Sequence, residues 1–172
     1  TDIDGKSYID CTAQAWTLAL GYNHPEVTEA ALVQMRSLPH VRAGFPTLPR
    51  LQLAKRLADL CPGRLNIVTY APTGSLGIES AMKLAMINRP AAHRFVTFYH
   101  AYHGNTLATM AASWSPTRTP GAYGPGVKFM PFMQNFVRVP NPYAYRCWRR
   151  ALHGPDGQCD AGCAAPIRDT LQ

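Results

Sequence analysis

No stretch of this chain stays apolar for the roughly 18 residues that a membrane-spanning helix needs. No segment near its start joins a basic stretch, an apolar stretch and a small-residue cleavage site either. Both absences lead us to expect a cytoplasmic protein with no membrane partner. A disorder signature is missing too: of 172 residues, 47% are hydrophobic and 16% charged, which suits one globular domain with a sizeable core. Acidic residues are scarce, 10 against 17 Lys and Arg, for a formal net charge of +7. The excess is scattered from Arg36 to Arg168 instead of forming a stripe, so we read a solvated basic surface and expect no nucleic-acid partner. Only "YRCWRR" (145–150) sets bases beside aromatic rings. The chain has no internal repeat.

The cysteine count is odd: Cys11, Cys61, Cys147, Cys159 and Cys163. Free thiols are the expectation without a secretory context. Cys147, Cys159 and Cys163 with His153 could supply four zinc ligands, but their spacing matches no compact ribbon or finger, and no metal is expected. A non-catalytic zinc or nucleic-acid binding module stays open as an alternative of another class.

Turn and helix signals order the chain. Asp4-Gly5 reads as a hairpin turn, because Gly supplies a positive φ. Pro25 suits a first helical turn, with Asn23 or His24 able to cap and Glu26 and Glu29 favouring the positive end of the dipole, so a helix is expected to about Ser37. Residues 40–50 hold two prolines and a Gly and read as a loop. From Leu51, Leu53, Leu57 and Leu60 recur at helical spacing until Cys61-Pro62-Gly63. "LNIVTYA" (65–71) reads as a buried strand, followed by a helix to about Asn88, a strand "RFVTFY" (94–99), a loop leading to a further helix, a Pro/Gly-rich connection (115–126) and a third strand candidate, "VKFMPF". Alternating helices and strands predict an α/β fold, mainly a parallel sheet flanked by helices.

In such a layout ligands bind beyond the carboxyl ends of the strands, where helix N-termini point. "YAPTGSLGIESAMKLAM" places Gly74 and Ser75 at one such junction, and no Lys follows them as a nucleotide-binding P-loop would require. Free N–H groups and the helix dipole hold a phosphate without a lysine. Ser75 adds a hydroxyl, and Glu79 and Lys83 stand at i, i+4. A helix cap that binds nothing accounts equally for this junction. Past the next strand, "YHAYHGN" (99–105) sets Tyr102 and His103 before a Gly, able to offer a flat ring and an imidazole. Together the two strand ends suit a phosphorylated heteroaromatic cofactor.

"DIDGKSYID", "LGYNHPEV", "FPTLPRLQLAKRLADLCPG", "TGSLGIESAMKLAM", "FVTFYHAYHGNTLATMAAS" and "VRVPNPYAYRC" occur in one order. That order resembles the N-terminal part of the class III (omega-type) aminotransferases, pyridoxal-phosphate enzymes of fold type I. The resemblance implies that Gly74 and Ser75 bind the phosphate of pyridoxal 5'-phosphate, that Tyr102 stacks on its ring with His103 beside it, and that Trp16 lines the substrate pocket. It implies amino transfer from an amine or amino acid donor to a keto acid, with decarboxylation or an intramolecular amine shift as the alternative within the family, and a homodimer. Residues 1–40 would be an N-terminal segment of the small domain and 41–172 the first, incomplete part of the large cofactor-binding domain.

The position after Gly-Ser, often acidic in the family, is Leu76 here. The lysine and aspartate that act on the cofactor in this family lie downstream of "YRC". Lys6, Lys55, Lys83 and Lys128 match neither the position nor the motif of that lysine. The chain opens at Thr1 and stops at Gln172 within an expected helix, so it reads as the front part of a longer enzyme, inactive alone and with no catalytic residue of its own.

Overall fold

The computed structural model describes residues 1–114, 134–143, 145–147, 165, 167 and 168. The chain divides into two compact units, Thr1–Val68 and Thr69–Gln172.

The first unit opens on the expected Asp4-Gly5 turn. Gly5, at φ +81°, donates its N–H to Asp2 O (3.1 Å), and Asp2 N–H donates to Lys6 O (2.8 Å). No strands flank this turn, which corrects the hairpin expectation. A lone two-stranded ribbon is marginal in water, and here the Asp2 carboxylate takes the N–H groups of Asp4 and Lys6 and the Tyr8 hydroxyl instead. Next comes α1 (Ala13–Trp16), a single left-handed turn with φ between +46° and +64° at all four residues. That conformation costs L-residues about 1–2 kcal/mol each. Asp10 organises it: its carboxylate accepts from Thr12 N–H (2.9 Å), the Thr12 hydroxyl (2.7 Å) and Gln14 N–H (2.9 Å). These bonds hold the Asp10 carboxyl down at about 2, the Thr12 hydroxyl contributing most.

Helix α2 (Pro25–Ser37) ends where its spacing predicts. His24 takes the cap position, yet neither it nor Asn23 caps through a side chain; Pro25 presets the first turn and Glu26 faces the dipole. Helix α3 (Leu48–Leu60) starts inside the expected loop, because Pro49 occupies the first turn, where its missing N–H costs nothing. Arg50 Nη1 ties this turn to the carbonyls of Ala43 (3.1 Å) and Phe45 (3.4 Å). Neither helix buries a residue.

The expected strand over 65–71 is not formed, and Ile67 is 91% exposed. A parallel strand needs a ladder beside it, and the two strands of the described residues pair with each other.

In the second unit α4 (Gly74–Asn88) ends at the expected Asn88 and packs against α5 (Leu107–Ala112). Strand β1 (Phe95–Phe98) lies parallel to β2 (Phe136–Val139) in the register Phe95↔Phe136 to Phe98↔Val139, with α5 between them in the chain. The parallel expectation holds; the strand candidate "VKFMPF" lies outside the described residues, and "FVRV", which the sequence pattern does not mark as a strand, pairs with β1. Stacked rings of Phe95 and Phe136, 5.7 Å apart, close the start of the ladder. The small core gathers on α5 and the ends of the strands: Thr109, Ala111, Ala112, Ser113 and Val139 are buried. Helix α4 buries none of its residues, and the Glu79 to Lys83 pair is not formed; the ion pair of the described residues is Lys55–Asp59 at 2.8 Å. No helix among the described residues is long and apolar enough to cross a membrane.

Candidate cofactor site

Thr73 starts the site. Its extended backbone ends the incoming segment, its hydroxyl accepts the Leu76 N–H (3.2 Å), and its carbonyl accepts the Gly77 N–H (3.0 Å), so α4 begins at Gly74. The N–H groups of Gly74 and Ser75 lie in the first turn, where a helix offers no acceptor of its own, and no acidic side chain competes there. Leu76, in place of an acid, leaves the positive end of the dipole open to an external anion.

The second wall is the segment after β1. Tyr102, His103 and Gly104 line one cavity of about 420 Å³ together with Gly74, Ser75 and Ile78. All four residues expected to hold the cofactor therefore meet. Gly104 is needed for that approach: it stands at φ +129°, and a Cβ there would lie 2.2 Å from Ser75 Oγ and 2.9 Å from Ser75 Cα. Beside it, Asn105 N–H donates to Ser75 Oγ (3.1 Å). The serine hydroxyl accepts this bond and keeps its own proton for a further acceptor. Tyr102 is 61% exposed, which leaves its ring accessible to a ligand.

Trp16, expected at the substrate pocket, belongs to the first unit, on the left-handed turn, and is 87% exposed. Of the zinc candidates only Cys147 is among the described residues, as a buried free thiol; no cluster able to hold a metal occurs among those residues. Trp148, Arg149 and Arg150 of the basic-aromatic cluster also lie outside them. The sequence pattern does not single out Thr73, Gly104, Asn105 or Ser113. Thr73 carries a visible signal, a hydroxyl residue just before a helix start; the others act through contacts distant in sequence.

Parallel strands with a helix N-terminus and an aromatic loop at their ends define an α/β ligand-binding architecture of the fold type I transaminase kind, and comparison with solved structures agrees. A Bacillus anthracis aminotransferase superposes with a TM-score of 0.76 at 27% identity, and an omega transaminase from Pseudomonas jessenii, solved in complex with PMP, with 0.74 at 25%. Each match covers 99% of this chain and 36% of the other. Among curated relatives, the adenosylmethionine-8-amino-7-oxononanoate aminotransferase of Nitratidesulfovibrio vulgaris is 34% identical over 154 residues, 85% of this chain and 27% of that protein. The diaminobutyrate–2-oxoglutarate aminotransferase of Rhizobium meliloti is 34% identical over 197 residues, 100% of this chain and 39% of that protein. The family model "Aminotransferase class-III" matches residues 1–154. The chain belongs to the class III aminotransferase family, whose cofactor is pyridoxal phosphate, and spans less than two fifths of the length of these relatives.

Proposed function

We propose that this chain is the cofactor-holding front part of an enzyme that moves an amino group from an amine or amino acid to a keto acid. The observation that carries the reading is the meeting of Gly74, Ser75, Tyr102 and His103 around one cavity. Its donors suit the cofactor: two first-turn N–H groups and the Ser75 hydroxyl for the phosphate, and the Tyr102 ring for the pyridine face. His103 donates to or accepts from a ring substituent. When bound, pyridoxal phosphate supplies an electron-withdrawing ring that stabilises charge on the substrate carbon. This chain's residues bind and orient it; the lysine that moves the proton is assigned to a downstream segment, where the family pattern has it, and none of the described lysines, Lys6, Lys55 and Lys83, lines the cavity. Residues 1–40 contribute to the small domain, with Trp16 toward the substrate, and 41–172 to the large domain of a cytoplasmic homodimer.

The test takes the complete reading frame, past Gln172. The reading requires an in-frame aspartate and lysine downstream, and a purified protein that turns amines and a keto acid into carbonyl products without releasing carbon dioxide. A stop codon after Gln172 refutes the transaminase reading; carbon dioxide release, or an amine shifted within one molecule, replaces it with the decarboxylase or aminomutase alternative.

A further inference from the structure

Ser113 follows α5, is fully buried, and lies outside the cavity. Its hydroxyl donates to Thr109 O (2.6 Å), one turn back, and accepts the N–H of His103 (2.8 Å), ten residues away. The next residue repeats the tie: Trp114 N–H donates to Ala101 O (2.7 Å). The Tyr102–His103 segment is thus pinned on both sides, by Asn105 on Ser75 and by the Ser113 hydroxyl on His103. Ser113 is itself held in place. Arg138 of β2 donates through Nη2 to the carbonyls of Ala111 and Ser113, covering the C-terminal end of α5. Residue 113 therefore needs a small side chain with a strong acceptor in a fully buried place.

We propose that Ser113 is a positioning residue for the cofactor ring, its hydroxyl fixing the backbone of His103 so that Tyr102 and His103 face the cavity beside Ser75. The inference rests on the proposed cofactor function. Without the hydroxyl, the His103 N–H is left without its acceptor, and the segment trades a defined orientation for several.

The experiment uses pyridoxamine 5'-phosphate, an amine that does not couple to surface lysines, titrated into the protein encoded by the complete reading frame. Ser113→Ala is expected to bind it about tenfold more weakly, to change the circular dichroism of the bound ring, and to speed hydrogen exchange at the His103 amide. Ser113→Cys fills the same space with a weak acceptor and is expected to behave alike, so it decides the matter if the alanine variant fails to fold. Wild-type affinity and ring dichroism in the cysteine variant, or in a folded alanine variant, overturn the role of Ser113 while leaving the cofactor function standing. Failure of the wild-type protein to bind overturns the cofactor function and this inference with it.

Discussion

Gly104→Ala tests how closely the two walls of the site approach. The added Cβ would sit 2.2 Å from Ser75 Oγ, 2.8 Å from Ser75 Cβ and 2.9 Å from Ser75 Cα, and the last of these is backbone that rotation of a side chain does not relieve. The positive φ of +129° adds conformational strain. Left-handed backbone costs about 1–2 kcal/mol and overpacking about 1–3 kcal/mol, so the variant is expected to lose about 2–5 kcal/mol of stability or to open the segment from α4. Urea denaturation with a fixed m-value measures the first outcome, and loss of pyridoxamine 5'-phosphate binding measures the second. Adding Ser75→Gly removes the side-chain clash but keeps the backbone clash and the strain, so the double variant should recover only part of the loss. A Gly104→Ala protein within about 0.5 kcal/mol of wild type, with binding intact, would refute the close approach.

Two further outcomes follow from local contacts. Thr73→Ala removes the hydroxyl that caps α4 and should cost about 1 kcal/mol, read as a lower denaturation midpoint, while Thr73→Ser should restore it; equal midpoints for all three proteins would contradict the cap. Asp10, held down at about 2, sits below the roughly 3.9 of an unfolded aspartate, so its contribution is fully present above about pH 4 and is lost as pH falls through 2. The Gln14 amide and Trp16 indole resonances should therefore titrate near pH 2, and Asp10→Asn should abolish that step; a midpoint near 3.9 would contradict the turn contacts.

Much of this is legible in the residues themselves. The end of α2 at Ser37 and the end of α4 at Asn88 follow from local apolar spacing and stop signals, which need no distant partner. Gly74, Ser75, Tyr102 and His103 are legible because the Gly-Ser start of a helix and an aromatic-Gly segment each carry a local pattern, even though the strand expected before α4 is not formed. Strands read less well. "LNIVTYA" has the composition of a buried strand but pairs with no strand among the described residues, whereas "FVRV", interrupted by Arg138, pairs because β1 lies beside it and its guanidinium finds the carbonyls at the end of α5. Pro49 reads as a breaker in a loop, although at a helix start it is favoured. Ser113 and Gly104 matter through partners brought close by folding, and no spacing along the chain announces such contacts.

A cavity between α4 and the Tyr102 segment that holds a phosphorylated pyridine must distinguish that compound from its unphosphorylated form and must depend on the aromatic ring beside it. Calorimetric titration with pyridoxamine 5'-phosphate, run beside pyridoxamine and repeated on Tyr102→Ala, measures both. Saturable binding of the phosphorylated compound is expected, weakened about tenfold or more by loss of either the phosphate or the Tyr102 ring. Equal binding of both compounds, or binding indifferent to Tyr102, would mean that the cavity is not the cofactor site.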